Sequence, residues 1–301
     1  MSLVDQQYFS IARKIVSNMT SESWESIPHV CITYEPEVTA FLNVLADINT
    51  TKTHGGRITL NTAMLRVIVE GLKACPKMNS HISFNRRLVR GHIDTFDNID
   101  ISMPVMLETG EMMTINMHGF ENKSLSQMRD AIKNSMERAH NSDLNEVMFE
   151  VSMDNTLQGL KKGKIMQAVF RLIGSKTGSH KVKTLSGAER KAYYSKPESE
   201  RLTKHDIEQG TITVSNLGSV YREWDGECTI LEIIPPQITA IGIGAVKNVP
   251  ICDHDGNICP GKKLPLTIAF DHRALDMGDI APFLKRLDEI FKKPEVMEEW
   301  V

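Results

Sequence analysis

The chain has 301 residues, of which 41% are apolar, enough to build a substantial core, and its net charge of -3 does not favour nucleic acid or anionic lipid as a partner. Five widely spaced cysteines, an odd number, argue against a secreted disulfide scaffold. Because the N-terminus lacks a signal-peptide pattern and no window approaches about 18 uninterrupted apolar residues, we expect a cytoplasmic protein without a membrane span.

The N-terminal half of the chain alternates between helical and extended patterns. Residues 9–19 predict an amphipathic helix, which the serine-rich stretch from residue 21 should break before a strand at 29–35. A second helix is predicted at 59–75, where apolar residues recur at four-residue spacing and Pro76 stops it. Residues 82–107 have an extended pattern, and residues 124–140 return to the helical period.

The C-terminal half contains short apolar runs at 211–215, 238–246 and 264–270, which are typical of buried strands. The last predicted helix begins at Asp279 and ends at Pro294. Its apolar face consists of Ile280, Phe283, Leu284, Leu287, Ile290 and Phe291. Strands interleaved with helices indicate an α/β fold, in which helices pack on a sheet.

One segment differs in composition from the rest. Residues 161–204 contain twelve Lys or Arg against three Glu, a balance of +9, so the remainder of the chain carries -12. The first part, at 157–174, is a candidate amphipathic helix, whereas 175–200 is predicted to be loop.

The sharpest chemical signal is FDHRALDMGD at residues 270–279. His272 directly follows an apolar strand, at a strand end where side chains can project into a cleft. An unperturbed imidazole can remove a proton from a thiol or hydroxyl at neutral pH, and Asp276, four residues later, could orient it or hold the turn. A structural histidine bonded to a nearby acid explains this motif equally well.

A second signal is GTITVSNLGS at residues 210–219. A strand here delivers Ser215 and Asn216 into a glycine-containing turn, where the Ser215 hydroxyl could donate a hydrogen bond to a developing oxyanion. An ordinary turn after a strand accounts for the same residues.

Two other motifs do not predict chemistry. Cys252 and Cys259 flank the turn DHDG, but their spacing fits no common zinc site, and DG between strand-like runs indicates a hairpin. We therefore expect no metal site. The sequence GIGAV at 242–246 lacks the third glycine and the following helix of a dinucleotide-binding loop.

Six segments, taken in order, resemble the catalytic domain of the dihydrolipoamide acyltransferase (E2) family of 2-oxo acid dehydrogenase complexes, which is related in fold to chloramphenicol acetyltransferase. They are IARKIVSNM with IPH, NTAMLRVIVEGLKACPKMNS, KSLSQMRDAI, TITVSNLG, PPQITAIGIG, and DHRALD with its closing helix. The resemblance implies a single catalytic domain over residues 1–301, with a mixed sheet, packed helices and a basic insert at about 142–203.

The resemblance also implies an activity: transfer of a short acyl group between coenzyme A and a thiol (lipoyl-like), hydroxyl or amine acceptor. His272 matches the family's general base, and Ser215 matches the hydroxyl that stabilises the tetrahedral oxyanion. Asp276 matches a carboxylate that supports the active-site loop through an arginine near the N-terminus, for which Arg13 is the nearest candidate. The family's site lies between the subunits of a trimer, so we expect a homotrimer or a larger assembly of trimers.

Some features depart from the family pattern. Met277 stands where the family's DHRxxDG ends in glycine, so either Met277 adopts a positive φ or the loop has shifted. We expect no lipoyl domain and no subunit-binding domain in this chain, so a lipoyl group would come from a separate protein. The alternative function is a noncatalytic E2-like scaffold or assembly subunit, in which Met277 and altered loops have disabled the chemistry.

The basic insert leaves several partners open. Clustered Lys and Arg could meet the phosphates of coenzyme A, an acidic partner or a membrane surface. A plainer interpretation is a solvated excursion whose apolar residues, including Val169, Phe170 and Ile173, pack back on the domain.

Overall fold

In the computed structural model of the chain, the described residues are 2–50, 55–106, 112–161, 184–219, 226–252 and 255–301, with single positions at 165, 166, 169, 170 and 173. The helices are α1 (Ile11–Ser26), α2 (Thr39–Thr50), α3 (Leu60–Ala74), α4 (Leu125–His140), α5 (Leu144–Lys161), α6 (Gly187–Ser195), α7 (Lys204–Ile207) and α8 (Met277–Lys292). The strands are β1 (His29–Tyr34), β2 (Ser80–Asn85), β3 (Arg90–Thr95), β4 (Ile101–Met106), β5 (Met112–Met117), β6 (Ile212–Asn216), β7 (Thr239–Ile243), β8 (Lys247–Cys252), β9 (Ile258–Lys263) and β10 (Leu266–Asp271).

A mixed six-stranded sheet organises the fold, with strand order β1-β10-β7-β6-β4-β5. Strand β6 runs parallel to β4 and β7, and the other neighbours are antiparallel. Every residue of β7 and of β10 is buried, because these central strands are covered on both faces. The predicted α/β fold is therefore confirmed. Two separate hairpins, β2–β3 and β8–β9, complete the strand pairing over the described ranges.

Helices α3 and α8 pack against each other and confirm two predicted helices. The Thr59 side chain caps α3 at its first turn, and the helix ends at Ala74, just before Pro76. Gly71 allows the two helices to approach closely, because a Cβ atom there would lie 2.6 Å from the ring of Phe283. The apolar stripes predicted on both helices are thus core.

The first helix is longer than predicted, since α1 continues to Ser26 through the serine-rich stretch. The Ser23 hydroxyl, which is buried, donates to the Ile233 carbonyl oxygen at 2.7 Å. The Trp24 ring stacks on the His29 ring with centroids 4.7 Å apart, and its indole nitrogen donates to Glu232. These tertiary contacts hold the last turn in a helix that local propensity alone disfavours.

The loop predicted at 175–200 is partly wrong, because residues 187–195 form α6. The Glu146 carboxylate of α5 is fully buried and accepts hydrogen bonds from the Tyr194 hydroxyl at 3.1 Å and the Leu185 backbone N–H at 3.2 Å. Arg190 Nε lies 2.9 Å from the same carboxylate. A buried carboxylate requires such partners, so this cluster fastens α6 to α5.

Within the insert at about 142–203, the three apolar side chains named in the plainer interpretation do not pack on the domain, whereas Tyr193 and Leu202 belong to the core. Val169 is 45% exposed, Phe170 is 65% exposed and Ile173 is 51% exposed. Of the candidate helix at 157–174, residues 157–161 form the end of α5, and eight of the later positions lie outside the described residues. No helix within the described ranges is long and apolar enough to cross a membrane.

Candidate active site

His272 lies in the turn that follows β10, as its position after the apolar strand predicted. Its backbone N–H donates to the Pro28 carbonyl oxygen at 3.1 Å, next to the start of β1. Asp271, the residue before it, pairs in register with His29 of β1. The turn is thus fixed to the sheet edge while the imidazole remains 53% exposed.

The His272 imidazole is oriented through its Nδ1 atom. Nδ1 lies 3.2 Å from the Leu275 carbonyl oxygen and 3.3 Å from Asp276 Oδ1. Both neighbours are acceptors, so the ring proton belongs on Nδ1 and the lone pair belongs on Nε2. Over the described ranges Nε2 makes no hydrogen bond within the chain. The arrangement therefore leaves Nε2 able to accept a proton.

The turn is held by an ion pair that the sequence reasoning did not single out. The Asp271 side chain is fully buried and pairs with Arg273, whose Nη2 lies 2.6 Å from Asp271 Oδ2 and whose Nε donates at 3.0 Å to Oδ1. The Arg273 backbone N–H also donates to Asp271 Oδ1 at 2.9 Å. The acidic and the basic residue on either side of His272 are the sequence signal that could have predicted this ion pair. This fork fixes the backbone on both sides of His272.

Met277 does not need a positive φ, contrary to one of the two possibilities raised by its position. Asp276 is the N-cap of α8, and Met277 is the first residue of that helix. Among the described residues Val89 is the one non-glycine residue with positive φ. The Asp276 backbone N–H donates to the Asp279 carboxylate at 3.0 Å. Helix capping, not a glycine, shapes this turn, so methionine fits without strain.

Ser215 lies near the end of β6, half-buried, in register with Gly242 of β7. The next residue, Asn216, donates through its side chain to Asn61 Oδ1 at 2.9 Å and so ties the strand end to the first turn of α3. Beyond Asn216 the chain turns through Leu217–Ser219. The serine is therefore held at a strand end, as predicted.

Ser215 and His272 lie far apart within one chain. Ser215 pairs in register with Gly242 of β7, and Gly242 pairs in register with Thr267 of β10. His272 follows Thr267 by five residues. Five residues of strand span about 17 Å, and two steps between strands add about 10 Å sideways, which gives a separation of about 19 Å. Side chains cannot bridge that distance, so a single chain does not bring the two groups together.

Arg13 and Asp276 also do not meet within one chain. Arg13 is exposed in the first turn of α1, where its backbone N–H donates to the Ser10 hydroxyl at 3.2 Å. No ion pair joins its guanidinium to Asp276 in the part of the chain that the structure describes. The Asp276 carboxylate instead lies 3.3 Å from His272 Nδ1.

The two cysteines flanking the DHDG turn lie on the β8–β9 hairpin, as predicted. Cys252 pairs with Ile258, and Ile251 pairs with Cys259. Asp253 and His254, the other residues considered as ligands, lie outside the described residues. Elsewhere in the described chain, no three His, Cys, Asp or Glu side chains are grouped so that they could hold a metal ion.

Solved structures share this fold. A probable dihydrolipoamide acetyltransferase from Listeria monocytogenes superimposes with a TM-score of 0.66 at 18% identity, covering 97% of this chain and 96% of that one. The cubic core of the pyruvate dehydrogenase multienzyme complex gives 0.67 at 16% identity, covering 99% and 95%. A dihydrolipoamide acetyltransferase from Azotobacter vinelandii gives 0.66 at 15% identity, with coverage of 99% and 95%, and is described by the catalytic role of a serine, a histidine and an asparagine.

Curated sequences lead to the same family. The acetyltransferase component of the mitochondrial pyruvate dehydrogenase complex of Saccharomyces cerevisiae is 21% identical over 287 residues, which is 95% of this chain but 46% of that protein. The corresponding component of the acetoin cleaving system of Bacillus subtilis is also 21% identical, with 95% and 54% coverage. The chain thus spans about half the length of these relatives. The model for 2-oxoacid dehydrogenases acyltransferase (catalytic domain) matches residues 4–152 and 180–298, so the chain belongs to that family.

Proposed function

We propose that this chain is a coenzyme A-dependent acyltransferase, which moves a short acyl group between coenzyme A and a thiol acceptor such as a dihydrolipoyl group. The observation that carries the proposal is the orientation of His272, whose Nδ1 faces two acceptors and whose Nε2 is left to take a proton. A scaffold without activity would not need that arrangement on an exposed turn.

The proposed reaction uses both groups that the sequence singled out. His272 Nε2 removes the proton from the attacking thiol, and the thiolate adds to the thioester carbonyl carbon. The Ser215 hydroxyl donates a hydrogen bond to the oxyanion of the tetrahedral intermediate. When the intermediate collapses, the carbon–sulfur bond of the leaving group breaks, and the imidazolium returns the proton to the departing thiolate.

The site requires more than one copy of the chain. Because about 19 Å separates Ser215 from His272 in one chain, we assign the histidine to one subunit and the serine to its neighbour. A closed homotrimer provides three equivalent sites of this kind, and such trimers can build a larger assembly. Arg13 stays a predicted support for Asp276, now across a subunit boundary, since the two do not meet within one chain.

The partner would be a separate lipoyl-carrying protein, and the location would be the cytoplasm. Five free cysteines among the described residues agree with a reducing compartment.

The Azotobacter vinelandii enzyme supports the roles assigned here to His272 and Asp276, because its histidine and asparagine are four positions apart, as His272 and Asp276 are.

Thioester turnover tests the proposal. The full chain is incubated with acetyl-coenzyme A and dihydrolipoamide, and the acetylated product is followed by mass spectrometry. We expect His272→Ala to lower the rate by roughly 10²- to 10⁴-fold. His140→Ala, at an exposed position at the end of α4 and outside both proposed binding regions, serves as the matched control and should leave the rate unchanged. Equal background rates for wild type and His272→Ala would instead support the scaffold.

A further inference from the structure

The β2–β3 hairpin stands apart from the main sheet and ends in an arginine-rich loop. Asn85 pairs with Arg90, so residues 86–89 form a four-residue loop with the sequence Arg-Arg-Leu-Val. All residues from 83 to 95 are exposed. An isolated two-stranded hairpin gains little stability from burial, so the shape of its loop depends on local contacts.

The loop is held in one conformation. The Asn85 side-chain oxygen accepts hydrogen bonds from the backbone N–H groups of Arg87 at 3.0 Å and Leu88 at 3.1 Å. Val89 has a φ of +48°, a region that disfavours β-branched residues and that glycine or asparagine would occupy more easily. Gly91 is needed beside it, because a Cβ atom there would lie 2.5 Å from the Ser83 carbonyl oxygen. A strained valine at a loop tip is a feature that often accompanies a binding role.

Three arginines at this tip have no charge partner. Arg86, Arg87 and Arg90 form no ion pair and no side-chain hydrogen bond with any described residue. The nearest acid on the hairpin strands, Asp94, lies 3.5 Å from His92 instead. Three guanidinium groups within five residues therefore make a compact positive site, on a chain whose net charge is -3. Guanidinium groups bind phosphate through paired hydrogen bonds.

The hairpin lies beside the turn that carries the proposed base. The Arg273 guanidinium carbon is 5.8 Å from the centre of the Phe84 ring, and Phe84 is one register step from the Asn85 pair that closes the loop. At its other end β2 is tied to the main sheet, since the Ile82 N–H donates to the Pro236 carbonyl oxygen at 2.9 Å. The arginine-rich loop therefore begins one register step, roughly 3.3 Å, beyond the residue whose ring contacts Arg273.

We propose that Arg86, Arg87 and Arg90 bind the phosphate groups at the nucleotide end of coenzyme A. The inference rests on the proposed function, which places the coenzyme A thiol at His272. The pantetheine arm separates that thiol from three phosphate groups, and the hairpin extends from its contact with Arg273, the residue after His272, to a loop with three arginines that have no charge partner among the described residues. A flexible anion at the end of a long arm needs no deep pocket, which agrees with the exposed loop.

Calorimetry on the full chain tests this site without turnover. The triple variant Arg86→Ala, Arg87→Ala, Arg90→Ala is titrated with coenzyme A and with pantetheine, which lacks all phosphates. We expect the Kd for coenzyme A to rise by about 10- to 100-fold, as the loss of three solvent-exposed charge contacts implies, and the Kd for pantetheine to stay the same. The control is Lys133→Ala, Lys292→Ala, Lys293→Ala, which removes the same charge at exposed positions on α4 and at the end of α8.

The outcomes separate the two proposals. An unchanged Kd for coenzyme A, or a rise that the lysine control reproduces, would overturn the arginine site even if the wild type turns thioesters over. A parallel loss of pantetheine affinity would overturn it as well. Weaker capture of an acidic lipoyl-bearing protein, with coenzyme A affinity intact, would assign the loop to protein docking and also reject the inference. A wild type that binds coenzyme A through these arginines but shows no turnover would reject the proposed function instead.

Discussion

Mixing two inactive variants tests whether the active site is divided between neighbouring subunits. His272→Ala removes the base and leaves Ser215 intact, whereas Ser215→Ala removes the oxyanion donor and leaves His272 intact. Each variant alone should lose at least roughly 10²-fold in rate. Since the two groups lie about 19 Å apart in one chain, a site that combines them must take one group from each of two chains.

The rate expected for the mixture follows from the fraction of sites that contain both an intact histidine and an intact serine. In a closed ring assembled at random from equal amounts of the two variants, each site draws its histidine from one chain and its serine from the next. Purification through one tag on each variant removes the trimers of a single variant, and each remaining mixed trimer has one site in three that pairs an intact His272 with an intact Ser215, so we expect about a third of the wild-type rate per site. The two variants carry different affinity tags, are co-expressed and purified through both tags, and are assayed for acetyl transfer to dihydrolipoamide.

A matched mixture provides the control. His272→Ala combined with the double variant His272→Ala, Ser215→Ala contains no intact histidine and should show only background. Activity in the complementing mixture no higher than that of the separate variants, in assemblies proven to contain both tags, would refute the division of the site. A rate well above about a third would also contradict the counting argument.

Three further predictions concern stability. Gly71→Ala should lower the free energy of unfolding, measured in urea, by about 2 kcal/mol, because the added Cβ atom would lie 2.6 Å from the buried ring of Phe283. The control Gly278→Ala should not lower it, because no atom lies within 4 Å of the Cβ position there. Asp271→Asn should cost about 3 kcal/mol in the same assay, because it leaves the arginine partner of a fully buried carboxylate unpaired; an unchanged midpoint would contradict this. The hydrogen bond to Asp100 raises the pKa of His118, so its contribution is fully present below the ordinary value of about 6.5 and is lost as pH rises through the raised pKa. The difference in unfolding free energy between wild type and His118→Asn should therefore shrink as pH increases above neutrality, and a pH-independent difference would contradict the assignment.

The parts of the fold that sequence predicted well are those governed by local rules. The helix at 60–74 has a side-chain cap at Thr59, an apolar stripe and a proline just after its end, and all three signals agree. The strand before His272 is fully buried and reads as a continuous apolar run. For the same reason the sequence alone predicts that His272 lies at a strand end.

The parts that sequence missed depend on contacts between distant residues. Helix α6 forms because Tyr194 and Arg190 meet a buried Glu146 more than forty positions earlier, which no local pattern shows. The separation of Ser215 from His272 follows from strand order and register, which periodicity does not determine. Of the two possibilities for Met277, the positive φ is excluded because the turn depends on the Asp276 cap, which comparison with a family glycine does not reveal.

The carboxylate of Glu146 also lies at the base of a segment where the family domain could accommodate inserted residues. The family model leaves residues 153–179 unmatched, and the hydrogen bond from Leu185 N–H to Glu146 closes the chain a few residues beyond that gap. Closing a longer excursion costs only slightly more entropy than closing a shorter one. With both ends fastened near one acidic side chain, segments of different length can be added between them while the sheet keeps its register. This junction is therefore a suitable place to graft a reporter or a second module onto the domain.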